Sequence, residues 1–443
     1  MATAKSDEGL KRVIGVPGLT LSLVNGTIGA GIFALPAIVS LALGPFAVVG
    51  YICCAVLFAS ILLCYAEIGS RVTTSGGSYA YVEAAFGSLP GYIVNWLYFF
   101  GWSMMSCAAL MNLIADSLAV LFPVFSNVLV RGLLLFALTV FMILINVFGA
   151  KRGIVVVKMI TILKLLPLLA IIILGFGHVK ASNLHLAQIP SFKTFSDTTL
   201  ILFFAFAGFE TALGASGEIK SPRRTVPLSI CIAGVTVLII YLLLQTVVQG
   251  MLGAQVVLFQ NAPLAAVAER IVGQIGATIL LLSAALSCFG NVTADILSTP
   301  RSLFAGANNG LFPKFLGKVH PKFATPYLAI ITYGLLIFIF SVAGGFQQLA
   351  IMASAIILLV YLAVIFATIK LRRKNVDEAE KTFKAPGGII TPLIGIAAVI
   401  WLLTNLGKRE ILSTLIFIAG ILVVYFVTKW TKRKDKISKL SVT

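Results

Sequence analysis

Apolar residues run through this chain in blocks of about twenty, and the polar residues gather in the short segments between them. A helix needs about 20 mostly apolar residues to cross a hydrocarbon core about 30 Å thick. The chain offers twelve such blocks, at about 13–40, 45–68, 91–121, 130–149, 154–177, 196–216, 227–251, 272–299, 326–344, 348–371, 387–406 and 411–430. None alternates with the period of two that a membrane barrel strand requires. The pattern predicts an all-α polytopic membrane protein with twelve transmembrane helices in a single domain, residues 1–443.

Two blocks are interrupted. The first carries "NGTIGAGIF" (25–33) and the sixth "FAFAGFETALGASGEI" (204–219), each with three glycines where a helix interior loses about 1 kcal/mol per glycine relative to alanine. Glycines also serve close helix packing. Interruptions at the same place in two five-helix halves, however, are the mark of inverted repeats around a substrate site. The spacing places the repeats at about 13–177 and 196–371, with two added helices at about 387–430. Unwound backbone inside a bilayer is tolerated where it lines a cavity or is buried in protein. Such a break exposes amide ends, which suit a carboxylate, and carbonyl ends, which suit an ammonium. A site offering both suits an α-amino acid.

Charge then sets orientation. Of the 33 lysines and arginines, 25 fall in inner segments if both termini are cytoplasmic, and six in outer loops (Arg131, Lys180, Lys193, Arg270, Lys408, Arg409), as the positive-inside rule requires. The net charge of +18 therefore needs no nucleic acid to explain it. The clusters "KLRRKN" (370–375) and "KWTKRKDK" (429–436) sit at the membrane edge, where anionic lipid head groups attract them. The opening "MATAKSDEGLKR" lacks the apolar core and cleavage site of a signal peptide and is expected to remain as a cytoplasmic tail. The cysteines (Cys53, Cys54, Cys64, Cys107, Cys231, Cys288) read as small apolar fillers, and the histidines (His178, His185, His320) show no metal spacing. No cofactor is expected. Neither a protease constellation nor the polar pathway of a channel is evident, and a non-transporting sensor of the same fold would usually carry an extra soluble domain.

Four segments carry a resemblance: "GTIGAGIFALPA" in the first block, "TTSGGSYAYVEAAFG" (73–87), "FFAFAGFE" with "GEIKSPRRTVP" (217–227), and "STPRSLFAGANNGLFPKFLGKVHPKFATP" (298–326). In order and over nearly the whole chain they resemble the amino acid-polyamine-organocation transporters. The resemblance departs at Thr73, where relatives usually have proline, and at Ala30, where many have serine. It implies the leucine-transporter fold, with broken helices 1 and 6, and alternating access. Carried over, it places the substrate carboxylate at the amides of Ala30 and Gly31, beside Gly29. The ammonium falls at the carbonyls of Thr27, Phe204 and Ala207, beside Gly208. Phe204 matches an aromatic gate position, with Tyr98 as a candidate wall.

Ionisable residues deep in a block are costly unless paired or hydrated. Lys158 lies near enough to an end to snorkel, and Glu67, Asp116 and Asp197 near enough to be solvated. Lys164 resembles the fifth-helix lysine whose ammonium, in sodium-independent members, stands where sodium-coupled relatives bind the ion. It serves either as a proton-coupling group or as a fixed strut between helices. Glu210 either responds to protons or accepts hydrogen bonds from unwound amides. Asp295, which shares a helix face with Asn291, pairs with Lys164 or selects a cationic substrate; the pair is the preferred reading. The sequence thus predicts a sodium-independent amino acid transporter of the cytoplasmic membrane, not an enzyme. Proton-coupled uptake is the first choice and amino acid exchange the second, with basic amino acids or polyamines as the substrates if Asp295 selects.

Overall fold

The computed structural model describes residues 12–29, 31–148, 164–186, 189–260, 262–308, 313–323, 325–373 and 382–440. The expected positions Ala30 and Lys158 lie outside these residues. Helix dominates, and the β-pairing among the described residues is one isolated bridge, Ile14 to Ile219.

In chain order the helices are α1 (Val16–Thr27), α2 (Gly31–Leu43), α3 (Ala47–Arg71), α4 (Ser78–Phe86) and α5 (Ser88–Trp96). A π-helical segment, Leu97–Ser103, leads into α6 (Met104–Leu121), followed by α7 (Val128–Val147) and α8 (Lys164–His178). Next come α9 (Phe192–Phe206), the short α10 (Glu210–Leu213), α11 (Pro222–Leu252), α12 (Pro263–Val272) and α13 (Gln274–Asn308). The chain closes with α14 (Tyr327–Ala343), α15 (Phe346–Arg373), α16 (Ile390–Thr404) and α17 (Lys408–Leu440). Among the described residues six stretches are long and apolar enough to cross a membrane, and four shorter apolar helices accompany them. With that many apolar helices the chain is a multi-pass membrane protein.

Local chemistry explains several boundaries. The Asn127 side chain accepts from the amides of Leu129 and Val130 and so starts α7, and Ser191 caps α9 through the Thr194 amide. Proline opens α11 and α12, where a missing amide costs nothing. Large apolar side chains such as Val128, Ile173 and Ile189 face outward. The hydroxyl-bearing rings of Tyr51, Tyr65, Tyr241, Tyr333 and Tyr361 are fully buried. This distribution, apolar outside and partly polar inside, is that of a protein solvated by lipid.

Glu67 departs from expectation. It is fully buried, not solvated: Arg71 donates to Oε1 at 2.9 Å, Arg372 straddles both oxygens (2.7 Å to Oε1), and the Ala385 amide donates to Oε2 at 2.9 Å. Arg372 also donates to the Gly388 carbonyl. One carboxylate thereby ties the end of α3 to the end of α15 and to the segment leading into α16. Removing one member of a buried, hydrogen-bonded charge cluster strands the others, so Glu67→Ala is expected to destabilise the protein by about 3 kcal/mol. The check is the thermal aggregation midpoint of the purified protein in detergent, which should fall by several degrees; an unchanged midpoint would show that the cluster contributes nothing.

Candidate functional site

Both expected breaks are present, and they touch. Helix stops at Thr27 and resumes at Gly31, and it stops at Phe206 and resumes at Glu210. Gly26 and Gly208 meet back to back. A Cβ on Gly26 would fall 2.8 Å from the Gly208 oxygen, and one on Gly208 would fall 2.6 Å from the Gly26 oxygen. Gly208 also has φ +106°, a conformation that side chains other than hydrogen rarely adopt. Glycine at these two positions is therefore what lets the strands of unwound backbone cross.

Four side chains hold the crossing. The Gly208 amide, which would have closed a helical turn on Phe204, instead donates to Glu210 Oε2 at 3.1 Å, and the Tyr361 hydroxyl donates to the same oxygen at 2.9 Å. The Phe204 carbonyl is thereby released from the helix ladder. The Tyr241 hydroxyl reaches the carbonyls of Ala205 (2.7 Å) and Thr27 (3.0 Å), one from each broken helix. Lys164 Nζ donates to the carbonyls of Asn25 (3.0 Å) and Ile28 (2.7 Å), bracketing the first break.

The breaks border a cavity of about 300 Å³. Of the residues expected at the site, Thr27, Gly29, Gly31, Phe204, Ala207, Gly208, Asn291 and Asp295 line it. Lys164 and Glu210 stand behind the unwound backbone and are not part of the lining. From the breaks the cavity runs past Ser22, Thr211 and Ser298 toward the membrane face where the chain enters α1. At the other end three rings converge: Phe204 lies 5.7 Å from Trp102 and 5.9 Å from Phe346, centre to centre.

Several expectations need correcting. Asp295 does not pair with Lys164. Its carboxylate accepts from Ser103 and Thr299 (3.0 Å) on Oδ1 and from Tyr333 (2.7 Å) and the Cys107 thiol (3.3 Å) on Oδ2. Cys107 is thus a hydrogen-bond donor and more than an apolar filler. Lys164 has two carbonyls, not an acid, as acceptors for its hydrogen bonds. The Thr27 carbonyl, expected to meet the ammonium, already accepts from the Gly29 amide (2.8 Å) and from Tyr241. Tyr98 does not line the cavity; Trp102 takes that place. Both residues lie in the π-helical segment one turn apart, and it is Trp102 that reaches the cavity and the Phe204 ring. Gly26 and Tyr241 were also missed: the first is visible within "NGTIGAGIF", the second carries no local signal.

A family model described as amino acid permease matches residues 14–434. The chain is similar to the branched-chain amino acid permease BcaP of Bacillus subtilis (strain 168), 27% identical over 99% of this chain and 97% of that one. It is also similar to the serine/threonine exchanger SteT of the same organism, 29% identical over 96% of this chain and 98% of the relative. The large neutral amino acids transporter small subunit 2 of Mus musculus is 28% identical over 73% of this chain and 63% of its own length.

Two glycines separate site from scaffold. A methyl on Gly29 meets Asn291 Nδ2 at 3.3 Å, a contact that a side chain can relieve, so Gly29→Val is expected to fold and to weaken substrate binding about tenfold or more, a loss of about 1.4 kcal/mol. Gly208→Ala is expected to prevent the crossing and abolish folded protein. Ligand-binding measurements on the purified Gly29→Val protein, monodisperse by size-exclusion chromatography, check the first; unaltered affinity would remove Gly29 from the site.

Proposed function

This chain belongs to the amino acid permease family, and on that footing we propose that it carries amino acids across the cytoplasmic membrane by sodium-independent alternating access. The observation that carries the reading is the pair of breaks crossing at Gly26 and Gly208 over one cavity, with the Phe204 carbonyl freed from its helix. The substrate carboxylate meets the amide ends at Ala30 and Gly31, and its ammonium the carbonyls of Phe204 and Ala207. The fold is read as twelve crossings with two inverted five-helix repeats and both termini in the cytoplasm. The cavity, which extends toward the α1 entrance, then faces inward, with Trp102, Phe204 and Phe346 closing the outer side.

Asp295 argues for a neutral substrate. An ionised carboxylate has about four acceptor sites, and here four donors fill them. A cationic substrate group would have to displace one of those donors. Lys164 supports proton coupling without sodium: its ammonium sits between the first break and α8, and the two carbonyl bonds use two of its three protons. A neutral amine keeps both bonds, so the third proton is free to leave. Exchange is the second reading, favoured by the way the same bonds fasten Lys164 as a strut.

Uptake of labelled amino acids into proteoliposomes, empty or preloaded, with or without an inward proton gradient, tests the proposal. Neutral amino acids are expected to accumulate in empty vesicles under the gradient, and Lys164→Ala is expected to lose the gradient dependence. Uptake confined to preloaded vesicles would make the protein an exchanger. No flux of any amino acid would overturn the reading.

A further inference from the structure

We propose that the groove between α4–α5 and α15 binds one anionic phospholipid. The groove measures about 880 Å³, against about 300 Å³ for the cavity at the breaks, and it is separate from that cavity. Its walls are apolar: Leu89, Ile93 and Leu97 on one side, Leu359, Ala363 and Phe366 on the other. Phe366 and Phe86 are both exposed, so the groove is open at its rim.

Charge is confined to one end. Lys370 and Arg373 line the last turn of α15, both exposed, and among the described residues neither takes part in an ion pair. The Lys370 ammonium lies 4.5 Å from the centre of the Phe86 ring, which holds the charge at the mouth of the groove. Arg372 is turned away, committed to Glu67 and Gly388. The one acid on these three helices, Glu83, is engaged by the Tyr79 hydroxyl.

The dimensions suit a single leaflet. From Leu359 to Arg373, α15 rises about 21 Å at 1.5 Å per residue, and half of a hydrocarbon core is about 15 Å deep. A phosphate held by Lys370 and Arg373 at the basic face of the membrane would therefore lay its acyl chain along the whole apolar wall. A zwitterionic head group brings a cation that the same two residues repel, and free phosphate has no chain to bury. The far end of the groove is Leu97, the first residue of the π turn that presents Trp102 and Ser103 to the cavity. The lipid therefore rests against the base of the outer aromatic closure.

Native mass spectrometry of the delipidated full chain, titrated with phosphatidylglycerol or phosphatidylcholine, tests this. One phosphatidylglycerol is expected to bind about tenfold or more tightly than phosphatidylcholine, and the K370Q/R373Q double variant is expected to erase the difference. Ala363→Phe, which fills the apolar floor and keeps both cations, is expected to weaken phosphatidylglycerol to the same degree. If that variant is not monodisperse, Phe366→Ala makes the test by removing a wall. Millimolar inorganic phosphate is expected to displace nothing. Equal binding of the two lipids to the unmodified chain, an unchanged double variant, full binding to the filled groove, or displacement by inorganic phosphate would each overturn the proposal.

Discussion

The molecule depends on the contact between Gly26 and Gly208. Two helices that each break in mid-membrane expose amides and carbonyls that lipid cannot satisfy. The breaks survive because each is buried against the other, closer than any Cβ would permit. Much of the surrounding chemistry secures that crossing: Glu210 for one amide, Tyr361 for the carboxylate, Tyr241 for a carbonyl from each helix, and Lys164 for two carbonyls of α1. The same pair of segments is joined again at the end of α1. There the amides of Val13 and Ile14 donate to Glu218 and the Lys220 amide donates to Ile14. With fastenings at both ends, α1 and α10 are built to move together, which supports a rocking of one unit over independent hinging of two halves.

The opposite wall is fastened by Asp295. Its four donors come from α6, α13, α14 and the π segment, so one carboxylate organises the helices facing the breaks. The deep charges follow one rule. Lys164 is held by carbonyls, Glu210 by an amide and a phenol that both reach Oε2 while Oε1 stays without a partner among the described residues, and Asp295 by hydroxyls and a thiol. Among the described residues no ion pair bridges the cavity. A pair across that gap would gain strength from the low dielectric and resist separation. Satisfying each charge on its own side leaves the two walls free to part.

Short-range signals made the helices and the breaks readable in the sequence, since block length and clustered glycine are local properties. What escaped was set by partners far along the chain. Glu67 looked like a residue near a helix end, yet Arg372 lies 305 positions away and encloses it. Asp295 looked like a partner for Lys164 because a buried charge needs compensation, but hydroxyls 38 and 192 positions away provide it. The Trp102 wall carries no local signal either: Tyr98 and Trp102 lie one turn apart in the π segment, and it is Trp102 that packs beside Phe204 of the broken helix. Local pattern fixes where helices begin and stop, while the choice of who satisfies a buried charge belongs to packing.

The two closures of the cavity differ in strength, and the difference bears on motion. At the crossing, backbone meets backbone under the bonds of Glu210, Tyr241 and Lys164, and a shift there would strand several buried groups at a cost of about 1–3 kcal/mol each. At the aromatic end, the contacts are Phe204 with Trp102 and Phe204 with Phe346, aromatic pairs that contribute about 0.5–1.5 kcal/mol apiece beyond their burial. Trp102 rides on the π segment, next to the Ser103 that Asp295 holds, whereas Phe204 belongs to the broken helix. The rings therefore meet on the seam between the two walls. A seam of few, non-directional contacts separates at lower cost than the glycine crossing, which favours opening at the aromatic end with the crossing as pivot in the transport cycle proposed above.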